Sequence, residues 1–283
     1  MRRRSVAGRK AVNRFVTLVA GAAAGLGLLM LLWILLAVAQ RGLAALNWGF
    51  FTSLPAPPGA AGGGLANAIV GTGVISILAV LMGVPVGMLA GTYLAEFGRD
   101  SRFAGTVRFL ANVLMGAPSI VIGVFVYTLV VVPMGRFSGL AGAVALAIIM
   151  LPVVARTTED MLKLVPNSLR ESALALGSPE HKMIFQVTYR AARGGLLTGV
   201  ILAAARVSGE TAPLLFTTLN SPYWSFDLDK PMANLTVTIF NYAMSPYPDW
   251  QAKAWGASLL ITAAVLFLNL GSRFLARERK GRA

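Results

Sequence analysis

The chain has 283 residues, 56% of them hydrophobic and 13% charged, and its 25 Lys and Arg against 11 Asp and Glu give a formal net charge of +14. Soluble domains carry about a quarter charged residues, so a mean hydropathy of +0.70 excludes that class and makes a bilayer the expected solvent. With no Cys and one His, His181, there is no disulfide framework, Cys-ligated metal or thiol nucleophile, and a His-based metal centre has one imidazole to draw on. The basic residues fall between apolar runs and are not grouped on a soluble face, which argues against nucleic acid as a partner.

Residues 1–14 form a basic arm carrying Arg2, Arg3, Arg4, Arg9, Lys10 and Arg14. Six stretches then approach the ~20 apolar residues that cross a hydrocarbon core: 15–39, 65–95, 109–135, 137–155, 194–219 and 254–272. The first ends in Ala37-Val38-Ala39, as a cleaved leader would. Its apolar run is longer than the 7–15 residues of such a leader, so it is expected to remain as an anchor. Residues 40–64 read as an outer linker whose PAPPGAAGGG end lacks the Lys-Ser or Lys-Thr of a phosphate loop. No ATPase site is therefore expected in this chain.

Gly83, Gly87 and Gly91 in the second span, Gly21 and Gly25 in the first, and Gly195 and Gly199 in the fifth repeat a four-residue spacing. That spacing lets helix backbones approach closely. Pro85 and Pro118 lie inside spans, where each can kink the helix and free a carbonyl. Spans three and four are joined by Pro133-Met134-Gly135-Arg136.

Orientation follows from the basic loops, which stay cytoplasmic when short. The arm, the connection after span two (Arg99, Arg102, Arg108), the connection after span four (Arg156, Lys163, Arg170, Lys182, Arg190, Arg193) and the tail (Arg273, Arg277, Arg279, Lys280, Arg282) hold twenty Lys and Arg; Arg41, Arg136, Lys230 and Lys253 fall on the other side. Both termini are expected to be cytoplasmic.

The connection at 156–193 has a helix-break-helix grammar. Ser168 stands three residues before Glu171, a capping-box spacing, and Leu169, Ala173, Leu174 and Leu176 make a small apolar face. Gly177 is placed to end this helix at C′. Ser178 is expected to cap a second helix with Pro179 at N1 and Glu180 in its first turn. A helix lying on lipid would need a longer apolar face, so a short helix presented at the inner surface is expected. His181 is expected to be a solvated polar residue.

In the fifth span, Arg206 and Glu210 lie about twelve and sixteen residues beyond Gly194, which at ~1.5 Å per residue places both near mid-membrane. Their i, i+4 spacing predicts one helix face. Each charge there costs about 2.5–3.5 kcal/mol. One reading is a neutralised pair tying helices together; the other is a polar lining for a substrate pathway, with the Arg206 fork able to grip an oxyanion. Gly209 and Pro213 predict a local break, beside which Ser208 and Thr211 are candidate secondary donors. In the outer loop, 220–253, Tyr223, Trp224, Tyr247 and Trp250 suit either an interfacial belt or a partner contact. Asp227 and Asp229 lack a full calcium loop, and Asn234-Leu235-Thr236 is a glycosylation sequon by pattern alone.

These residues carry a family resemblance. Glu171-Ser172-Ala173 with Leu174 and Gly177 resembles the EAA motif of ABC importer permeases, in which the short helix docks into a groove of the ATPase subunit; Tyr189 and Arg190 stand where the general motif has Leu-Pro. The run from Ala205 to Thr217, ARVSGETAPLLFT, is similar to a segment of the PstA family of phosphate importer permeases. RTTEDML at 156–162, Val165-Pro166, PMANL at 231–235 and AMSP at 243–246 resemble the same family, and the likeness covers roughly 65–270.

The resemblance implies an all-α integral membrane protein of six transmembrane helices with the type I, MetI-like importer architecture. A permease core at 65–275 would carry the cytoplasmic coupling loop 156–193 and the outer loop 220–253, with 276–283 a cytoplasmic tail. It further implies a non-enzymatic subunit of the cytoplasmic membrane that passes inorganic phosphate and needs no cofactor. Its partners would be a PstC-type permease, two PstB-type ATPase subunits and a periplasmic or extracellular phosphate-binding protein. Arg206, Glu210, Thr211 and Ser208 would line the pathway, and Glu171, Ser172, Ala173, Leu174 and Gly177 would couple to the ATPase. Molybdate, sulfate and phosphonate are alternative cargoes. A proton-coupled secondary transporter centred on Glu210 is a further alternative, although such folds show internal repeats with paired broken helices and no second Arg-x-x-x-Glu is present. A membrane phosphotransferase would need a catalytic His or Asp near a membrane face.

Overall fold

The structure, a computed structural model, describes residues 6–98 and 101–278, and its regular elements are all helical. Arg2, Arg3, Arg4, Arg99, Arg279, Lys280 and Arg282, counted above for orientation, lie outside the described residues. Helix α1 (Val6–Ala45) keeps the whole of its apolar span unburied. Near its C-terminal end Gly42 lies against Trp255 and Leu259, and the Arg41 guanidinium sits 4.9 Å from the Trp255 ring centroid. Helix α2 (Trp48–Thr52) starts at Asn47, whose side chain accepts from the Phe50 N–H at 2.8 Å.

Helix α3 (Ala66–Thr92) runs through Pro85 and widens into a π-helical stretch, Tyr93–Phe97. Helix α4 (Arg102–Gly116) stops before Ala117-Pro118, because a residue preceding proline is pushed out of the helical region. Helix α5 (Ser119–Val126) then continues through a second π stretch, Tyr127–Val131, into α6 (Val132–Met134). The bend between the α4 and α5–α6 segments is 103°. Gly135, at φ 65°, ends the run in the left-handed conformation that glycine adopts without penalty.

Helix α7 (Gly139–Lys163) begins at Ser138, whose hydroxyl oxygen accepts from the Ala141 N–H at 3.1 Å. The N–H groups of Ser138, Gly139 and Leu140 donate to the carbonyls of Thr217, Lys230 and Leu228, so the 220–253 loop supplies partners that a helix start otherwise lacks. Helix α8 (Asn167–Ala175), α9 (Glu180–Lys182), a third π stretch (Met183–Thr188) and α10 (Tyr189–Val207) follow. Helices α11 (Ala212–Thr217), α12 (Leu235–Ala243) and α13 (Pro248–Glu278) complete the chain.

The core sits between α3, α7 and α10, around Ile75, Ala79, Leu146, Met150, Val154 and Val207. Lipid tails are as apolar as leucine, so helix association there rests on close packing. The α3 glycines provide it: a Cβ on Gly87 would lie 2.8 Å from Val154 Cβ, and one on Gly91 would lie 2.4 Å from the Ala155 carbonyl oxygen. On α10, Gly195 and Gly199 likewise receive Met161 and Thr157 of α7.

Six uninterrupted crossings are not found among the described residues. Among the described residues four helices are long and apolar enough to span, Gly8–Ala45, Ala66–Phe97, Gly139–Lys163 and Pro248–Phe274, with the bent α4 to α6 run a fifth. The third expected span breaks because of Pro118. The fifth is divided into α10 and α11, and α10 carries Arg190, Arg193 and Arg206 in its 19 residues. The fourth span, expected to end at 155, continues as α7 to Lys163.

Candidate functional site

Helix α10 ends at Val207, and Ser208, Gly209, Glu210 and Thr211 separate it from α11. Pro213 in the first turn of α11 has no N–H to lose there. The freed Glu210 carbonyl is taken up by the Thr236 hydroxyl of α12 at 2.9 Å, and Pro213 packs tightly on Gly123 of α5. The break in α10–α11 therefore faces the bend in α4–α5.

Between them lies a cavity of ≈ 120 Å³ lined by Leu114, Met115, Ala117, Ser119, Ile122, Ile149, Val153, Arg206 and Glu210. A single water requires about 10–15 Å³ of such volume, so the space takes several waters or one tetrahedral oxyanion. Arg206 is exposed and Glu210 half-buried. The expectation of one helix face is corrected, because the helix stops between the two residues, although both line the same cavity. No ion pair joins them among the described residues. The lining includes neither Ser208 nor Thr211. The Ser208 hydroxyl donates to the Ala204 carbonyl at 2.8 Å, and Thr211 occupies the N-cap of α11 with no side-chain hydrogen bond to it.

Helix α8 holds Glu171, Ser172, Ala173 and Leu174, with Glu171, Ser172 and Leu174 exposed and Ala173 half-buried. Its end is as expected: Gly177 has φ +78°, its N–H reaches the Leu174 carbonyl at 2.9 Å, and the Ser178 N–H reaches the Ala173 carbonyl at 3.1 Å. Its start is not. The helix begins at Asn167 with Pro166 at the N-cap and no side-chain cap, so Ser168 lies within the first turn and forms no capping box. Pro179 likewise sits at the N-cap of α9, which begins at Glu180, in place of Ser178. His181 is exposed.

Two charged nodes at this end of the bundle escaped the sequence reading. Glu159 of α7 is fully buried and meets Arg108 Nε at 2.7 Å, Lys163 Nζ, and Arg156 Nη1 at 3.6 Å. Arg170 of α8 grips Glu96 at 2.7 and 2.9 Å. Sequence reading counted these arginines as orientation markers and placed Glu159 in the connection after the fourth span, so nothing there signalled a buried partner.

In the 220–253 loop Asp227 pairs with Lys230 at 3.0 Å, which together with the Asp229 N–H holds its carboxyl below the usual range, and Asp229 pairs with Arg136 at 3.4 Å. Those carboxylates thus face cations, and no metal-ligating cluster is found among the described residues. Asn234 is fully buried and caps α12, accepting from the Val237 N–H at 2.9 Å, so the sequon is a helix cap. Tyr242 and Trp250 stack at 4.3 Å, whereas Tyr223 remains 73% exposed.

Residues 83–278 match the family described as "Binding-protein-dependent transport system inner membrane component". The chain belongs to that family. It is also 50% identical over 279 residues to the Phosphate transport system permease protein PstA of Yersinia pestis, covering 99% of this chain and 95% of that protein. It is 51% identical over 256 residues to the PstA of Haemophilus influenzae, covering 90% of each. Among solved structures, an inward-facing MetNI methionine ABC transporter aligns with TM-score 0.59 at 19% identity, over 75% of this chain and 92% of that one. That likeness shows the fold alone. This inner membrane component is accordingly a multi-pass, all-helical membrane protein with the MetI-type permease fold, serving a transport system that depends on a binding protein and a partner ATPase.

Proposed function

We propose that this chain is the permease subunit through which an ATP-driven importer passes inorganic phosphate, and that Arg206 is the residue phosphate meets inside the membrane. The observation that carries the reading is Arg206, at the end of α10, and Glu210, in the break that follows, lining one oxyanion-sized cavity without an ion pair between them. The names of its PstA relatives support phosphate as the cargo.

The guanidinium presents two parallel N–H donors that match a phosphate edge. Glu210 repels an entering anion and releases it again, keeping the site from becoming a trap. Thr211 and Ser208 serve as secondary donors once the break opens further. Outside, a phosphate-binding protein delivers the ion to the 220–253 face and sets most of the selectivity against molybdate or sulfate. Inside, α8 docks on one of two PstB-type ATPases through Glu171, Ser172, Ala173, Leu174 and the Gly177 turn. A PstC-type permease completes the pathway, and both termini face the cytoplasm. The core at 65–275 moves while the anchor at 15–39 remains in lipid.

The test is phosphate uptake into proteoliposomes holding the assembled complex. Arg206→Ala is expected to lower uptake at least tenfold with assembly intact, and Arg206→Lys to fall between it and wild type. Normal uptake by an assembled Arg206→Ala complex contradicts the proposal.

A further inference from the structure

We propose that Arg170 is a positioning residue through which α8 drives the α3–α7 pair, by way of its two-pronged bond to Glu96. The inference rests on the reading of α8 as the helix that meets the ATPase, and it adds how movement leaves that helix. Arg170 is the one buried residue of α8 among those described, at 6% exposure. A buried arginine is costly unless every prong is used. Here Nε and Nη2 hold the two Glu96 oxygens at 2.9 and 2.7 Å, Nη1 donates to the Val165 carbonyl at 2.6 Å, and Nη2 donates to the Leu162 carbonyl at 2.8 Å.

Those contacts reach two different elements. Glu96 lies in the π stretch that ends α3, and Leu162 and Val165 lie in the last turn of α7 and just beyond its end. On the opposite side of the same π stretch, Arg108 of α4 donates to the Leu94 and Gly98 carbonyls at 2.9 and 3.2 Å and to Glu159 of α7. Because Gly87 and Gly91 bring α3 into backbone contact with α7, a displacement at Glu96 moves both helices together. Leu169 and Leu174 of α8, and Leu176 just beyond it, are 45, 42 and 89% exposed. Lysine cannot replace this arginine, since one ammonium cannot span a carboxylate edge and two carbonyls in the same geometry.

The experiment measures ATP hydrolysis and inorganic phosphate uptake together, in proteoliposomes of the complete complex with its binding protein. Arg170→Met and Glu96→Met are each expected to keep hydrolysis within twofold while phosphate moved per ATP falls at least tenfold. The double variant is expected to fall no further than either single, because both remove one link. Should Arg170→Met prevent assembly, Arg170→Lys carries the test, with at least a threefold fall in the ratio. An unchanged ratio, hydrolysis and uptake falling in proportion, or losses that multiply in the double variant would overturn the proposal. Wild-type uptake that needs no ATP would overturn the reading beneath it, which the ratio in an ATP-requiring complex does not touch.

Discussion

Arg206 and Glu159 show how differently this protein treats two charges within its helices. Glu159 is fully buried and surrounded by Arg108, Lys163 and Arg156, so its charge is held in place by three cations. Arg108, 22% exposed, loses most when Glu159 is removed, at a cost of about 1–3 kcal/mol, whereas Arg156 and Lys163, 44 and 43% exposed, turn to water instead. Glu159→Leu is therefore expected to lower the unfolding midpoint of the purified subunit in detergent by several degrees, with Arg108→Leu lowering it comparably and the double variant by less than the sum. Arg206 has no such enclosure; it is exposed and borders a cavity. A charge left available beside a cavity suits the binding role proposed for it, which is why its removal is expected to act on transport and not on assembly. The value of Arg206 was partly legible in sequence, since a charge inside an apolar run declares its own cost, whereas Glu159 fell in a stretch read as a charged connection. Nor were its partners legible, because the Arg108 and Glu159 pair is 51 residues apart and hydropathy carries no information about which distant charges meet.

At the scale of elements, glycines and prolines decide where helices touch and where they stop. Pro118 turns one expected crossing through 103°, and Gly209 with Pro213 divides another; the two interruptions then frame the cavity. Each break was readable as a breaker residue inside an apolar run, whereas their meeting was not. The α3 glycines were readable as a spacing and acquired meaning only from the α7 backbone opposite. A side chain at Gly91 would place its Cβ 2.4 Å from the Ala155 carbonyl oxygen, and backbone cannot yield as a flexible side chain can. Gly91→Val is expected to destabilise by about 1–3 kcal/mol through overpacking and to reduce uptake and assembly together, while Gly73→Val, with nothing within 4 Å of its Cβ, changes neither. Co-purification of the complex and its thermal midpoint read both outcomes. The capping of α8 was misread because Ser168 and Glu171 fit a capping box, yet Pro166 fixes the helix start two residues earlier than that box requires.

Across the whole molecule, one rigid pair of helices links two ends with different tasks. At one end α8 projects exposed side chains and is moored by Arg170. Along the pair's flank, Ile149 and Val153 of α7 form the wall of the Arg206 cavity. At the far end the start of α7 is hydrogen-bonded to the 220–253 loop. A push on α8 thus has a continuous packed route to the cavity and to the face where a binding protein would dock, which is what an ATP-driven importer requires of its permease. The most direct test of that account is phosphate uptake by the reconstituted complex with and without ATP, comparing wild type with Glu171→Lys. The account predicts uptake only when ATP and the ATPase are present, and at least a tenfold loss in Glu171→Lys with the complex still assembled. Uptake that persists without the ATPase and follows a proton gradient would contradict it and would point to Glu210 as a titrating carrier group.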